Sequence, residues 1–223
     1  MIQMIHAIWD CWQNRTRPTF AGTFYNFTLM TPFFNPGPID YPRPAIYIAG
    51  VNEYICRLAG ELCDGFHVHP FHSIKYLDEV VFPNVQRGLA KAGRRRSDIS
   101  MSSTVFVLTG ENQKEIEAAR SPVRQQISFY ASTPAYVGVL EAHGWGEVGR
   151  RLTEKSKRGD WAGMADEITD EMLEAYALSG TYDEIAEQVK KKYAGYLDRV
   201  AFYFPFASGD KERWRRLVAA FNG

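Results

Sequence analysis

The chain has 223 residues, 45% hydrophobic and 14% aromatic, which is enough to bury a sizeable core and excludes a disordered chain. Lys+Arg and Asp+Glu number 26 each, so no net charge favours nucleic acid or an acidic membrane surface. Three cysteines, Cys11, Cys56 and Cys63, without metal-ligand spacing point to a reduced, cytoplasmic protein, and no apolar run reaches the roughly 20 residues of a membrane span.

Residues 1–14 are predicted as an amphipathic helix, with Ile2, Ile5, Ile8, Trp9 and Trp12 at three-four spacing and no signal-peptide pattern. Residues 15–44 carry six prolines among many aromatics and read as a long irregular excursion. A short strand, Ala45–Ala49, leads into a helix from Asn52 to about Leu62, and Gly65–His69 forms a second strand. Ser73 is positioned to cap a long helix reaching about Ala92, kinked near Pro83. The run Arg94-Arg95-Arg96 follows that helix end and reads as a solvated surface suited to the helix dipole.

Met101–Leu108 is predicted as a third strand, and residues 113–178 as almost wholly helical, with Thr133-Pro134 at one helix start. Thr181 with Glu184 has the spacing of a capping box for a helix ending near Ala194. Arg199–Phe206 reads as a fourth strand, and Asp210 as the cap of a last helix. Alternating strands and helices predict a parallel sheet in one domain, 1–223, with no repeat and no boundary.

Two segments bear chemistry. Gly50-Val51-Asn52 joins a strand to a helix start, which is both how a phosphate is cradled and how a plain capped turn looks. Neither GxGxxG nor GxxxxGKS is present. His67-Val68-His69 puts two imidazoles on one strand face by the period of two. The pair fits a pocket at a barrel-strand end, the start of a metal site that lacks further ligands, or packed histidines without a role. Phe129, Tyr130, Ser132, Thr133 and Tyr136 form an aromatic-polar cluster that serves as a substrate wall or as core. No nucleophile-histidine signature stands out, and Cys56 and Cys63 read as buried thiols.

The stretch PAIYIAGVNEYICRLAGELCDGFHVHPF, with FAGTFYNF before it and RQQISFYASTPAYVGVLEAHGWGEV and SGTYDEIAEQVKKKYAGYLDRVAFYFPF after it, resembles the luciferase-like oxidoreductase family. The look is nearest the branch that uses the deazaflavin coenzyme F420, with FMN as the alternative. The resemblance implies a TIM-barrel (βα) type α/β fold, here a partial barrel with about the last four βα units and a long helical insertion. It implies cofactor binding by Ala49, Gly50, Val51, Asn52 and Val68, and a substrate pocket with His67, His69 and Tyr130. It names no catalytic acid or base and no metal. The implied activity is hydride transfer between a small organic substrate and the deazaflavin, or monooxygenation with FMN. The alternatives are a non-catalytic half-barrel remnant or interaction subunit, and a metal-dependent hydrolase using His67 and His69.

Family members begin with about four βα units that have no counterpart here. The expectation is therefore a homo-oligomer, or completion by an N-terminal half. A sheet of about four strands would leave one apolar face bare, exposing side chains such as Tyr47, Val68, Val105 and Phe202 unless residues 15–44 fold over it.

Overall fold

The computed structural model describes residues 1–203 and 211–222. Helix α1 (Ile2–Asn14) comes first. A two-residue hairpin, β1 (Phe20–Ala21) and β2 (Asn26–Phe27), is the only regular pairing in the proline-rich excursion among the described residues. Next come β3 (Tyr47–Gly50), α2 (Glu53–Leu62) and β4 (Gly65–Val68). Helices α3 (Ile74–Tyr76) and α4 (Phe82–Lys91) are joined by a π-turn, Leu77–Val81. Pro83 has no N–H and its ring crowds the carbonyl four residues back, so the expected kink takes the form of a widened turn.

The longest strand, β5 (Ser100–Gly110), precedes the helical insertion α5 (Gln113–Ala131), α6 (Val137–Glu141), α7 (Gly146–Lys157) and α8 (Asp170–Tyr176). The insertion ends in β6 (Ala177–Thr181), a strand where the sequence reads as helix and turn. Helix α9 (Ile185–Tyr193), β7 (Arg199–Tyr203) and α10 (Lys211–Asn222) complete the order. The last part of the predicted fourth strand, residues 204–206, and the Asp210 cap lie outside the described residues. Glu184 reaches back to the Thr181 N–H at 3.0 Å, but the Thr181 hydroxyl donates to that carboxylate, so only half of the capping box forms.

Every pairing in the five-stranded sheet is parallel. Strand β4 pairs with β3 on one edge and β5 on the other. Ser102 and Ser103 pair with β4 and β7 at once, and Phe106 with β6 and β7 at once. A residue has one partner per edge, so β6 runs along the edge of β5 that β4 occupies, beyond where β4 ends. The barrel-type succession is thus β3-β4-β5-β7, a partial barrel that does not close, with β6 added from the insertion.

One face of this sheet is core: Phe66, Val68, Met101, Val105 and Val107 are at most 2% exposed beneath the helices. This corrects which side chains the bare face carries. Val68 and Val105 point into the core, and Phe202 packs on Phe221 with ring centroids 5.4 Å apart. Of the four side chains expected to meet water, only Tyr47 belongs to the other face, which instead carries Ala49, His67, Ser102, Thr104 and Arg199. Residues 15–44 do not cover it: His67, Ala49 and Arg199 are exposed, and Phe24, Leu29 and Phe33 of the excursion face solvent.

The basic run is also corrected. Arg94 donates to the carbonyls of Gly60, Cys63 and Asp98 at 2.6–2.9 Å, closing the C-terminal end of α2. Arg96 bonds Ile99, Tyr196 and Asp198, and only Arg95 is a surface residue. Asp64, at the Asp-Gly turn, takes Arg43 through both oxygens at 2.7 Å and the Ile46 N–H at 2.8 Å. Burial works against that carboxylate, yet these bonds hold it below the usual range and pin the end of the excursion to the sheet.

Candidate functional site at the strand ends

The β3–α2 turn is built by its cap. Asn52 Oδ1 accepts from the Ile55 N–H at 3.3 Å, and its carbonyl takes the Cys56 N–H. The N–H groups of Glu53 and Tyr54 find no acceptor among the described residues and remain available to an anion. Glu53 itself leans back to Arg57 at 3.3 Å, which offsets its charge at that helix start. The Val51 carbonyl holds the Tyr76 hydroxyl at 3.1 Å, fixing the turn from below. Gly50 has a packing reason: a Cβ there would lie 2.2 Å from the Ile55 side chain. Ala49 stands exposed on the open face, and Val68 is buried behind it with its carbonyl bonded to Ser103 Oγ at 2.9 Å.

His69 follows β4 directly, and its N–H extends the ladder to the Gly50 carbonyl at 3.1 Å, so the turn and the histidine are neighbours. Its Nδ1 accepts the Phe71 N–H at 3.2 Å. That fixes the tautomer: Nδ1 is bare, so in the neutral ring Nε2 carries the proton and is a donor. Burial lowers the pKa of His69, which keeps the ring neutral near pH 7. Tyr130 from the end of α5 stands edge-on to it at 4.7 Å, and Tyr136 lies tilted at 4.4 Å. The Tyr130 hydroxyl meets that of Tyr203 at 2.9 Å, and Phe106 packs on Tyr203 at 4.9 Å. Burial, with this bond, raises the Tyr130 phenol above its ordinary value, so it stays protonated.

His67 lies one step down the same face, its Nδ1 2.5 Å from Ser102 Oγ and its ring 5.1 Å from Tyr47. The site residues read from the sequence therefore converge: Gly50, Val51, Asn52, His69 and Tyr130 sit together, with His67 below. Ser102, Phe106 and Tyr203 join them without a signal in the sequence, because strand register across β4, β5 and β7 puts them there. A cavity of ≈ 390 Å³ lined by Phe106, Thr109, Gln126, Tyr182 and Tyr203 adjoins the cluster. A larger one, ≈ 850 Å³, lies apart from it between β7, α9 and α10. Among the described residues no group of three His, Cys, Asp or Glu side chains is arranged to hold a metal. What the arrangement offers is a neutral N–H donor, a hydrogen-bonded phenol pair, an aromatic wall for a planar ring, and two free amides for an anion.

A family model for luciferase-like monooxygenases matches residues 1–199. The chain belongs to the luciferase-like monooxygenase family. It is 44% identical over 207 residues to an uncharacterized protein of Mycobacterium tuberculosis, covering 93% of this chain and 61% of that one. It is 32% identical to the 5,10-methylenetetrahydromethanopterin reductase of Archaeoglobus fulgidus, covering 89% of this chain and 58% of the reductase. The solved coenzyme F420-dependent tetrahydromethanopterin reductase of Methanopyrus kandleri superposes with a TM-score of 0.70 over 97% of this chain and 60% of that one; at 19% identity this shows the fold. The luciferase-like chain thus spans about three-fifths of the length of these relatives.

Proposed function

We propose that the chain forms the cofactor- and substrate-facing part of an oxidoreductase that uses coenzyme F420, with FMN as the alternative. The observation that carries this reading is His69, held as an Nε2–H donor beside the Gly50-Val51-Asn52 turn and against Tyr130 and Tyr136. The name of the M. kandleri protein, a coenzyme F420-dependent reductase, supports the deazaflavin over FMN.

The residues present fit such a group. The unpartnered amides of Glu53 and Tyr54 would take the phosphate, with Ala49, Gly50, Val51 and Asn52 shaping the turn and Val68 backing it. The wall of Tyr130 and Tyr136 would flank a planar ring. When bound, the deazaflavin exchanges a hydride with an organic substrate, and the protein supplies positioning and electrostatics. His69 would donate a hydrogen bond through Nε2 to an oxygen of the bound group or substrate, a role for a neutral imidazole with a fixed tautomer. Tyr130 and Tyr203 exclude water at the upper rim, and His67 lines the pocket below. The protein works in the cytoplasm, consistent with three free, buried cysteines. Two of these thiols, Cys56 and Cys63, are pushed up by burial to about 12 and about 11 and stay inert.

Fluorescence titration with F420 and with FMN tests the reading. The expected result is saturable F420 binding, weaker FMN binding, and a loss of about tenfold or more in F420 affinity in His69→Ala. Binding of neither cofactor, or equal affinity in His69→Ala, overturns it. Gly50→Val is a poor probe, because the clash with Ile55 would move the turn whether or not it holds a phosphate.

A further inference from the structure

Helix α5 turns small residues towards the cavity of ≈ 390 Å³ beside the aromatic cluster. Ala118, Ala119 and Pro122 share one helix face and line it, while Phe106, Val123 and Tyr182 supply larger apolar walls. The volume falls in the roughly 300–1,000 Å³ range of small-molecule pockets. Two polar features of the lining are left open by the protein. Thr109 is 3% exposed, and its Oγ1 has no hydrogen-bond partner among the described residues. A buried hydroxyl left unpaired is costly, and a ligand group in the cavity would answer it. Pro122 has no N–H, so the Ala118 carbonyl at the exposed rim lacks the donor that a regular helix gives.

The lining also selects by charge. It contains no Lys, Arg or His, and its one acidic residue, Glu115, lies at the exposed rim with Oε2 accepting the Glu111 N–H at 2.9 Å. An anion would meet that carboxylate with no cation to offset it, and a cation would leave water for apolar walls. Gln126 offers an uncharged amide. Tyr203 lines the cavity and meets the Tyr130 hydroxyl at 2.9 Å, which joins the cavity to the His69 cluster.

We propose that this cavity takes the body of the substrate, and that the substrate is an uncharged, largely apolar organic molecule carrying a carbonyl, carboxamide or hydroxyl group. Thr109 Oγ1 and the Gln126 amide receive that polar group, and Phe106, Val123 and Tyr182 hold the apolar part. The role of the cavity rests on the oxidoreductase reading; the class of ligand rests on the lining alone.

Ligand-observed NMR of the full chain, without cofactor, tests this with benzamide against its charged counterparts benzoate and benzylamine. The expected result is saturable benzamide binding about tenfold or more tighter than that of either charged probe. Thr109→Val should weaken benzamide binding about fivefold, the loss of one hydrogen bond. It should not lower the thermal midpoint, because the hydroxyl it removes has no partner among the described residues. Ala119→Leu, which fills the cavity, should remove benzamide binding. No benzamide binding, equal binding of benzoate or benzylamine, or undiminished benzamide binding in either folded variant overturns the proposal. Failure of the oxidoreductase reading shows separately, as a chain that binds benzamide but neither F420 nor FMN.

Discussion

His69 and His72 stand three residues apart in one loop and meet opposite fates. His69 spends Nδ1 on the Phe71 N–H and keeps Nε2 for the site, whereas His72 bonds the His69 carbonyl through Nδ1 at 2.8 Å and leaves Nε2 buried without a partner. Burial lowers the His72 imidazole to about 4. An unfolded histidine titrates near 6.5. Above pH 6.5 neither state is charged and the full stability is present. As pH falls from 6.5 towards 4 the unfolded chain takes the proton first, so stability drops by about 3 kcal/mol across that window. Burial lowers His69, His143 and His6 as well, and these add in the same sense. Urea unfolding at pH 7.5 and pH 4.5 should show a smaller acid loss in His72→Gln than in the wild type; an identical loss would mean that His72 is not the main acid-sensitive group. At this scale the sequence was readable where chemistry is local. Asn52 and Ser73 cap the helices they were expected to cap, and the period of two put His67 and His69 on one face. The acceptors of Arg94 and Arg96 lie on distant segments, 34 and 102 residues away in the farthest cases, which no local pattern marks.

Helices α2 and α4 cross at two reciprocal glycines. A Cβ on Gly60 would stand 2.2 Å from the Val85 carbonyl oxygen, and one on Gly88 2.0 Å from that of Arg57. The obstacle is backbone in both cases, so neither side chain can yield. Alanine raises helix propensity by about 1 kcal/mol over glycine, but overpacking here costs more. Gly60→Ala and Gly88→Ala should each destabilise by about 1–3 kcal/mol, and the double variant by less than their sum, because one separation of the helices relieves both clashes. Denaturant midpoints measure this; a stabilised single variant would show that the helices do not cross so closely. Elements with strong local patterns, such as α2 and β5, were legible. Strand β6 was not: ALSGT has a serine and a glycine at its centre, and what makes it a strand is pairing with residues 106–110 of β5, some 70 residues earlier. The π-turn was legible only as a proline in a helix, since sequence marks the missing N–H and not how the helix absorbs it.

For the whole molecule, the parallel sheet, the helical insertion and the family were all present in the sequence, whereas the character of the open face was not. An alternating pattern does not say which set of side chains meets the helices until the helices are placed. Val68, Val105 and Phe202 go to the core side, and His67, Ser102 and Arg199 are left on the other. This polar surface leads up to the aromatic cluster at the strand ends, where α5 lays Tyr130 over His69. The candidate site therefore lies at the rim where β3 and β4 end beneath the insertion. Histidine ring NMR of the full chain, recorded as F420 is added, tests it most directly. The expected result is a saturable shift of the His69 ring, a smaller one for His67, and no change at His6, His72 or His143. F420 binding that leaves His69 unmoved would contradict it.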